Sequence, residues 1–571
     1  MPVRKSLVAS LVALTFALGA APGHADGNAG AYLAARIAAT DNDYRAAAEY
    51  FTRALVLDPS NVGLMEGALS SFVAAGDTER AVPIARRIIQ TAPASQLANL
   101  VLMAEAAQDG EWEQLLADLE AGQSVGPLFD GLARAWALVG AGRVNDALAA
   151  FDEVAANPGV GAFGLYHKAL ALASVGDFES AADMFSGAAG PQIRLTRRGN
   201  IAFAEVLSQI DRGAEGVEVL DRAFGPNADG FTADLRRQLA AGAPVPYSGI
   251  TSAREGIAEA AFSIAGALNG EAADAYTLIY TRIAQYLDPG HVDAVLLAGN
   301  LLDSLGQYGL SAEVYGSVPD DDPFFAVAEI GRAQAMRDAG DPDGAIAVLE
   351  ALAAARPDLG LAHVTLGDTL RREERFAEAT LAYDRAIALI GTEEEAQWVV
   401  YFSRGITLER EDRWPEAEAD FRKALELRPD QPQVLNYLGY SLVEMKTNLD
   451  EALSMIERAV AAEPESGYIV DSLGWVLYRL GRYDEALVHM ERAVELLPVD
   501  PVVNDHLGDV YWAVGRKREA EFQWHRALSF IGMGDSTDAE PDRIRRKLEI
   551  GLDAVLAEEG APPLRVADDN G

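Results

Sequence analysis

The sequence predicts an all-α solenoid, a stack of paired amphipathic helices closed by a C-terminal capping helix. Three observations carry that expectation. Equivalent residues recur every 34 positions: Pro464 and Pro498, Gly405 and Gly439, Gly474 and Gly508, and Ala452, Ala486 and Ala520. Around them one pattern is written three times, as NYLGYSLVEMKTNLDEALSMIERAVAAEP, DSLGWVLYRLGRYDEALVHMERAVELLP and DHLGDVYWAVGRKREAEFQWHRAL. Half of the 571 residues are apolar and 23% are charged, which supplies a continuous core and excludes wholesale disorder.

The first element is not part of the stack. Arg4 and Lys5 precede an apolar run over residues 7–21, and Gly23-His24-Ala25 puts small residues one and three positions before Asp26. This is the order of a secretory signal peptide, residues 1–25, and the run is short for a membrane span of about 20 residues. An uncleaved anchor is the alternative. Cleavage removes two cations and no carboxylate, so the mature charge is 45 minus 87, or -42.

The stack then runs over residues 26–227 with about six helix pairs, some degenerate, and over residues 254–534 with about eight. DYRAAAEYFTRALVLDP at 43–59 reads as a second helix, Pro93 follows Pro59 by 34, and Ala147 with Phe151 recurs as Ala181 with Phe185. Residues 96–127 and 196–227 are degenerate copies. In each pair glycine makes the turn, small residues sit where helices cross, and proline stops the second helix. One pair cannot bury its apolar face alone, so neighbours must share a core. Between the arrays, residues 228–253 are rich in Gly and Pro around a short helix at 232–241, which reads as a linker or hinge, or as a degenerate repeat packed in register. The last segment, 535–571, holds one capping helix at 542–557, with Ile544, Leu548 and Leu552 on one side and Arg543, Arg545, Arg546 and Lys547 elsewhere, and then a Pro-rich acidic tail.

These repeats resemble the tetratricopeptide repeat (TPR) family over most of the mature chain, and among them secreted bacterial multi-repeat members with the DSLGW and NDHLGDVYW ending. The resemblance implies a right-handed superhelical solenoid of TPR helix-turn-helix repeats. It also implies a concave groove lined by the second, fifth, ninth and twelfth positions of each first helix. With Gly439, Gly474 and Gly508 at the eighth position, the fifth, ninth and twelfth positions read Asn436, Tyr440 and Val443, then Asp471, Trp475 and Tyr478, then Asp505, Asp509 and Trp512, and Tyr468 stands at a second position. TPR domains that grip a chaperone's C-terminal carboxylate use Lys, Arg and Asn there, so that activity is not implied. Aromatic rings with flanking Asp suit an extended segment carrying Arg or Lys and apolar anchors, and such rings also stack on sugars. Tyr478 and Trp512 alternatively fill space between neighbouring first helices.

Catalytic chemistry finds little support. There is no cysteine, hence no thiol nucleophile, disulfide or lipidated cysteine. No two mature histidines lie three to five apart, as a helical zinc pair requires, although His506 and His525 fall in the same repeat. Gly159 to Gly164 matches GxGxxG but follows a helix, so it reads as an inter-repeat loop and not as a dinucleotide site. Asp341-Pro342-Asp343-Gly344 has too few following oxygens for a calcium loop and reads as a turn with Asp343 capping the next helix. Gly532-Met533-Gly534-Asp535-Ser536 lacks the lysine of a phosphate loop. No enzyme, cofactor or metal is expected. A net charge of -40 disfavours nucleic acid, whose binding needs clustered cations.

The expected function is therefore a non-enzymatic, exported, periplasmic scaffold of a Gram-negative-type envelope, without a membrane span in its mature chain, binding proteins with basic and apolar segments during envelope assembly or export. The competing reading is a glycan-binding adaptor of a polysaccharide export system.

Overall fold

The computed structural model describes residues 27–564 except 188–192, 194, 226–229, 392–393 and 533–538. The expected signal peptide, the end of the tail and most of the Gly532-to-Ser536 segment lie outside the described residues. Among the described residues there are 31 α-helices and no strand.

The 34-residue period has a direct packing cause. In successive repeats the glycine of the first helix seats one bulky side chain of the second. A Cβ on Gly367, Gly405, Gly439, Gly474 or Gly508 would come within 2.7, 2.6, 2.7, 2.8 or 2.4 Å of Tyr383, Phe421, Ile456, Met490 or Trp524. All five partners are fully buried. Second helices end at Leu57, Thr91, Ala462 and Leu496, each two residues before the periodic proline. Their first turns are capped where a short acceptor is available: Asp43, Asp77 and Asp177 accept from the backbone N–H three residues on. Asp341 does this for the helix Pro342–Ala355, accepting from Gly344 N–H at 3.0 Å, so the cap is Asp341 and not Asp343. The GxGxxG segment is a turn followed by a helix start, with Gly164 pressed against the backbone of Ala155.

The chain forms two compact units, Met1–Val348 and Leu349–Gly571. The first contains a departure from a simple stack. Its helix Ala253–Leu268 packs on Pro127–Gly140, Gln96–Asp109 and Gly161–Ser174, and Asp274–Leu287 packs on Val62–Ala75 and Gln96–Asp109. These partners are first helices of the second to fifth repeats, so the layer that a groove ligand would meet is covered by the chain itself. Gly256 permits the approach, since a Cβ there would lie 2.1 Å from Trp136. Arg282 fastens it, donating through Nε to the carbonyl of Ala74 at 3.0 Å near the C-terminal end of Val62–Ala75. A separate long-range pair, Arg45 with Glu313, joins Tyr44–Leu57 to Tyr308–Tyr315.

The segment expected as a linker at 228–253 does not divide the units. Over its described residues the helix Gly230–Ala240 packs on Gly213–Phe224, and Leu235, Leu239 and Val245 join Ile201 and Leu220 in one buried cluster. Ser248 then binds Glu205 through both its N–H and its hydroxyl. Apolar residues between the glycines gain burial here, and that outweighs the freedom an open hinge would keep.

In the second unit successive first helices touch, with Gly360–Arg372 on Trp398–Arg410, and Gly467–Arg479 on both Pro432–Glu444 and Pro501–Ala513. That layer is continuous. The expected single capping helix is two, Pro541–Ile550 and Leu552–Glu558, broken at Gly551 with φ 83°. The break brings Gly551 against Trp512, where a Cβ would stand 2.7 Å from the ring.

Candidate functional site

The candidate site is the first-helix layer of the second unit, and the structure sorts its expected residues into three groups. Asp471, Trp475 and Tyr478 are buried between neighbouring first helices. Asp471 lies 3.0 Å from Nδ1 of His506, whose ring stacks on Trp475 with centroids 4.0 Å apart and planes 13° from parallel. Tyr478 stacks on the Trp475 ring at 4.9 Å, and Trp475 Nε1–H donates to Glu444 at 2.7 Å. Burial works against a charged His506, but Asp471, together with the charges of Asp505 and Asp509, outweighs it and raises the imidazole above its ordinary value. Burial, with Asp509 nearby, also pushes the Tyr478 phenol well up.

Asp505, Asp509 and Trp512 face the chain's own C-terminal helices. Lys547 is wholly withdrawn from solvent, with its ammonium 2.9 Å from both Asp505 oxygens and 2.6 Å from Asp509. Asp509, 1% exposed, also accepts from Trp524 Nε1–H at 3.0 Å and lies 3.7 Å from Arg543. Trp512 is half-buried, donates to Asp553 at 3.0 Å and has Lys517 over its ring at 4.3 Å. Burial raises the Asp505 carboxyl although Lys547 pulls it down. The acids of this pattern are met by Lys547 and Arg543 of the chain's own helix Pro541–Ile550. These residues are not an open groove in this structure.

The third group remains accessible. Tyr468 is 57% exposed, while Asn436 and Tyr440 are half-buried. Asn436 Oδ1 is shielded from water and accepts no hydrogen bond. The same second position as Tyr468 is held by Leu361, six residues before Gly367, and by Val399, six before Gly405, and these are 57% and 43% exposed. The register of the last three repeats does not reach them, but the glycines Gly367 and Gly405 mark both positions in the sequence.

Among the described residues no group of three or more His, Asp or Glu is placed to hold a metal ion. His506 is committed to Asp471, whereas His525 is exposed. No helix among the described residues is long and apolar enough to cross a membrane.

A sequence profile of the tetratricopeptide repeat matches residues 32–96, 132–193, 330–393 and 446–501. A TPR repeat-containing protein of Pseudomonas aeruginosa is 38% identical over 63 residues, which is 11% of this chain and 11% of that protein, so the match spans a small part of the curated relative's length. Among solved structures, the APC/C hetero-tetramer Cut9-Hcn1 aligns at 15% identity and TM-score 0.37, covering 92% of this chain and 96% of that one. Yeast Tom70 aligns at 15% identity and TM-score 0.31, covering 93% and 98%. With its 34-residue period and its paired helices, the chain carries tetratricopeptide repeats over these four matched segments.

Proposed function

We propose that this repeat scaffold is exported and non-enzymatic, and that it holds protein partners during assembly of, or export through, a Gram-negative-type cell envelope, using the first-helix face of the unit Leu349–Gly571. The observation that carries the reading is the recurrence of exposed large apolar side chains, Leu361, Val399 and Tyr468, at one position of different repeats. Apolar groups held in water at a repeat spacing favour a partner that supplies apolar anchors at matching intervals. Two of the three exposed residues are aliphatic, which favours a protein over a glycan, since sugar stacking needs ring faces. The order of residues 1–25 supports export, and the charge of the mature chain supports partners with basic segments.

The test is capture from detergent-solubilised envelope by the chain from residue 26 onward, with and without the double substitution Leu361→Glu and Tyr468→Ala. The expected result is a small set of captured proteins that is lost in the variant and weakened by salt. An identical set from both proteins refutes the face, and glycan in the eluate without protein turns the reading to polysaccharide export.

A further inference from the structure

The unit Met1–Val348 contains a cleft of about 220 Å³ where the chain folds back on itself, walled by Gly161–Ser174, Arg197–Gln209, the 248–250 segment and the start of Val292–Ser304. Its charges do not balance. Arg198 pairs with Glu259 at 3.1 Å, and Glu259 also receives Tyr166 Oη–H at 2.9 Å and His291 Nε2 at 3.1 Å. Arg197 pairs with Asp293 at 3.3 Å. Both arginines of the cleft are thereby matched by carboxylates, and two acids are left over: Asp322, which accepts from the Phe324 N–H at 2.7 Å, and Glu205.

Glu205 is 2% exposed, and its hydrogen bonds come from Ser248, through N–H at 2.9 Å and the hydroxyl at 2.7 Å. Among the described residues no ion pair reaches it. Two donors leave a carboxylate with further acceptor capacity. A buried charge without a counter-ion is costly, and burial does push this carboxyl upward, with Ser248 and then the charge of Arg198 acting the other way. Besides its charged groups the cleft is lined by apolar and aromatic side chains, Leu170, Ile201, Phe231 and Phe324 among them, with the Arg197 guanidinium 3.9 Å from the centre of the Phe324 ring.

We propose that this cleft binds a primary ammonium carried on a short apolar stem, with Glu205 as its counter-ion. The apolar stem replaces water along the aromatic wall, and the ammonium donates to the free acceptor sites of Glu205. Such a group is offered both by a lysine side chain of a partner protein and by a small free amine. The site is separate from the face of the other unit, so it stands or falls without that reading.

The experiment is ligand-observed NMR and calorimetric titration of the full chain with phenethylamine, with its neutral counterpart phenethyl alcohol, and with N-acetyl-lysine methylamide. The amine is expected to bind roughly tenfold more tightly than the alcohol, the scale of a hydrogen bond to a charged group. Glu205→Gln, which keeps shape and can still bond Ser248, is expected to erase that preference. Binding of the lysine derivative assigns the site to a protein side chain, and binding of phenethylamine alone assigns it to a free amine. No binding at millimolar concentration, equal binding of amine and alcohol by the unaltered chain, or an unchanged preference in the variant overturns the proposal. The comparison of amine with alcohol needs no variant, so it stands even if Glu205→Gln fails to fold.

Discussion

Replacing Lys547 with Met tests whether the C-terminal helices are held by the acids of the last repeat. Lys547 is fully buried, between Asp505 at 2.9 Å and Asp509 at 2.6 Å. Methionine keeps much of the stem's packing and removes the charge. Asp509 then retains Trp524 Nε1–H at 3.0 Å and Arg543 at 3.7 Å, whereas Asp505 loses its ionic partner. Breaking a buried pair by removing one member costs about 3–5 kcal/mol, and the residual partners of Asp509 put this case near the lower end, about 3 kcal/mol. That corresponds to a roughly hundredfold rise in local opening.

A solenoid of this length does not unfold as a single two-state body, so the readout has to be local. Hydrogen exchange of the full chain, followed by mass spectrometry, is expected to show faster exchange over 541–558 and over Pro501–Ala513, with the unit Met1–Val348 unchanged. Burial already raises the Asp505 carboxyl against the pull of Lys547. Without the lysine it rises further. A carboxyl with a raised folded-state pKa supplies stability below its unfolded value that is lost as pH rises through the folded value, so the variant's deficit is largest at neutral pH and shrinks in acid. Adding Asp505→Asn is expected to restore part of the protection. Unchanged exchange over 541–558, or a double variant no better than the single one, refutes the reasoning.

Two further outcomes follow from the same packing. His506 is raised by Asp471, so its charged form stabilises the last repeats below its unfolded pKa of about 6.5, and that stability is lost as pH rises through the folded value; urea midpoints of the second unit should fall on going up through that range, and Asp471→Asn should flatten the dependence. Gly508→Ala drives a Cβ to within 2.4 Å of Trp524 and is expected to cost about 1–3 kcal/mol, while Gly266→Ala, in the helix Ala253–Leu268 with open space around it, is expected to gain about 0.5–1 kcal/mol. Denaturant melts of the two variants check the opposite signs.

The helical fold was legible because each repeat packs mainly on its neighbours. The pairing of Gly474 with Met490, or of Gly508 with Trp524, is written into one stretch of about 34 residues and rewritten in the next. The site was legible only in part. The register correctly identified which residues lie on first helices, but position alone does not say whether an aspartate faces water or a neighbour. Asp471 met His506 from the next repeat, and Asp505 met Lys547 from 42 residues away, so charges offered as a ligand site became internal pairs. Leu361 and Val399, which stay exposed, lacked the ring or charge that draws attention in a sequence.

The sequence by itself determined the helices, their pairing, the core glycines and the acidic character, because these depend on local periodicity and composition. Only the tertiary structure decided which surfaces remain available. The return of Ala253–Leu268 and Asp274–Leu287 onto the first helices of the earlier repeats rests on contacts such as Arg282 to Ala74, 208 residues apart, and Arg45 with Glu313 joins two further helices across 268 residues. Such contacts form when small rotations between repeats accumulate into a curve tight enough for the chain to meet itself, and no single repeat encodes that sum.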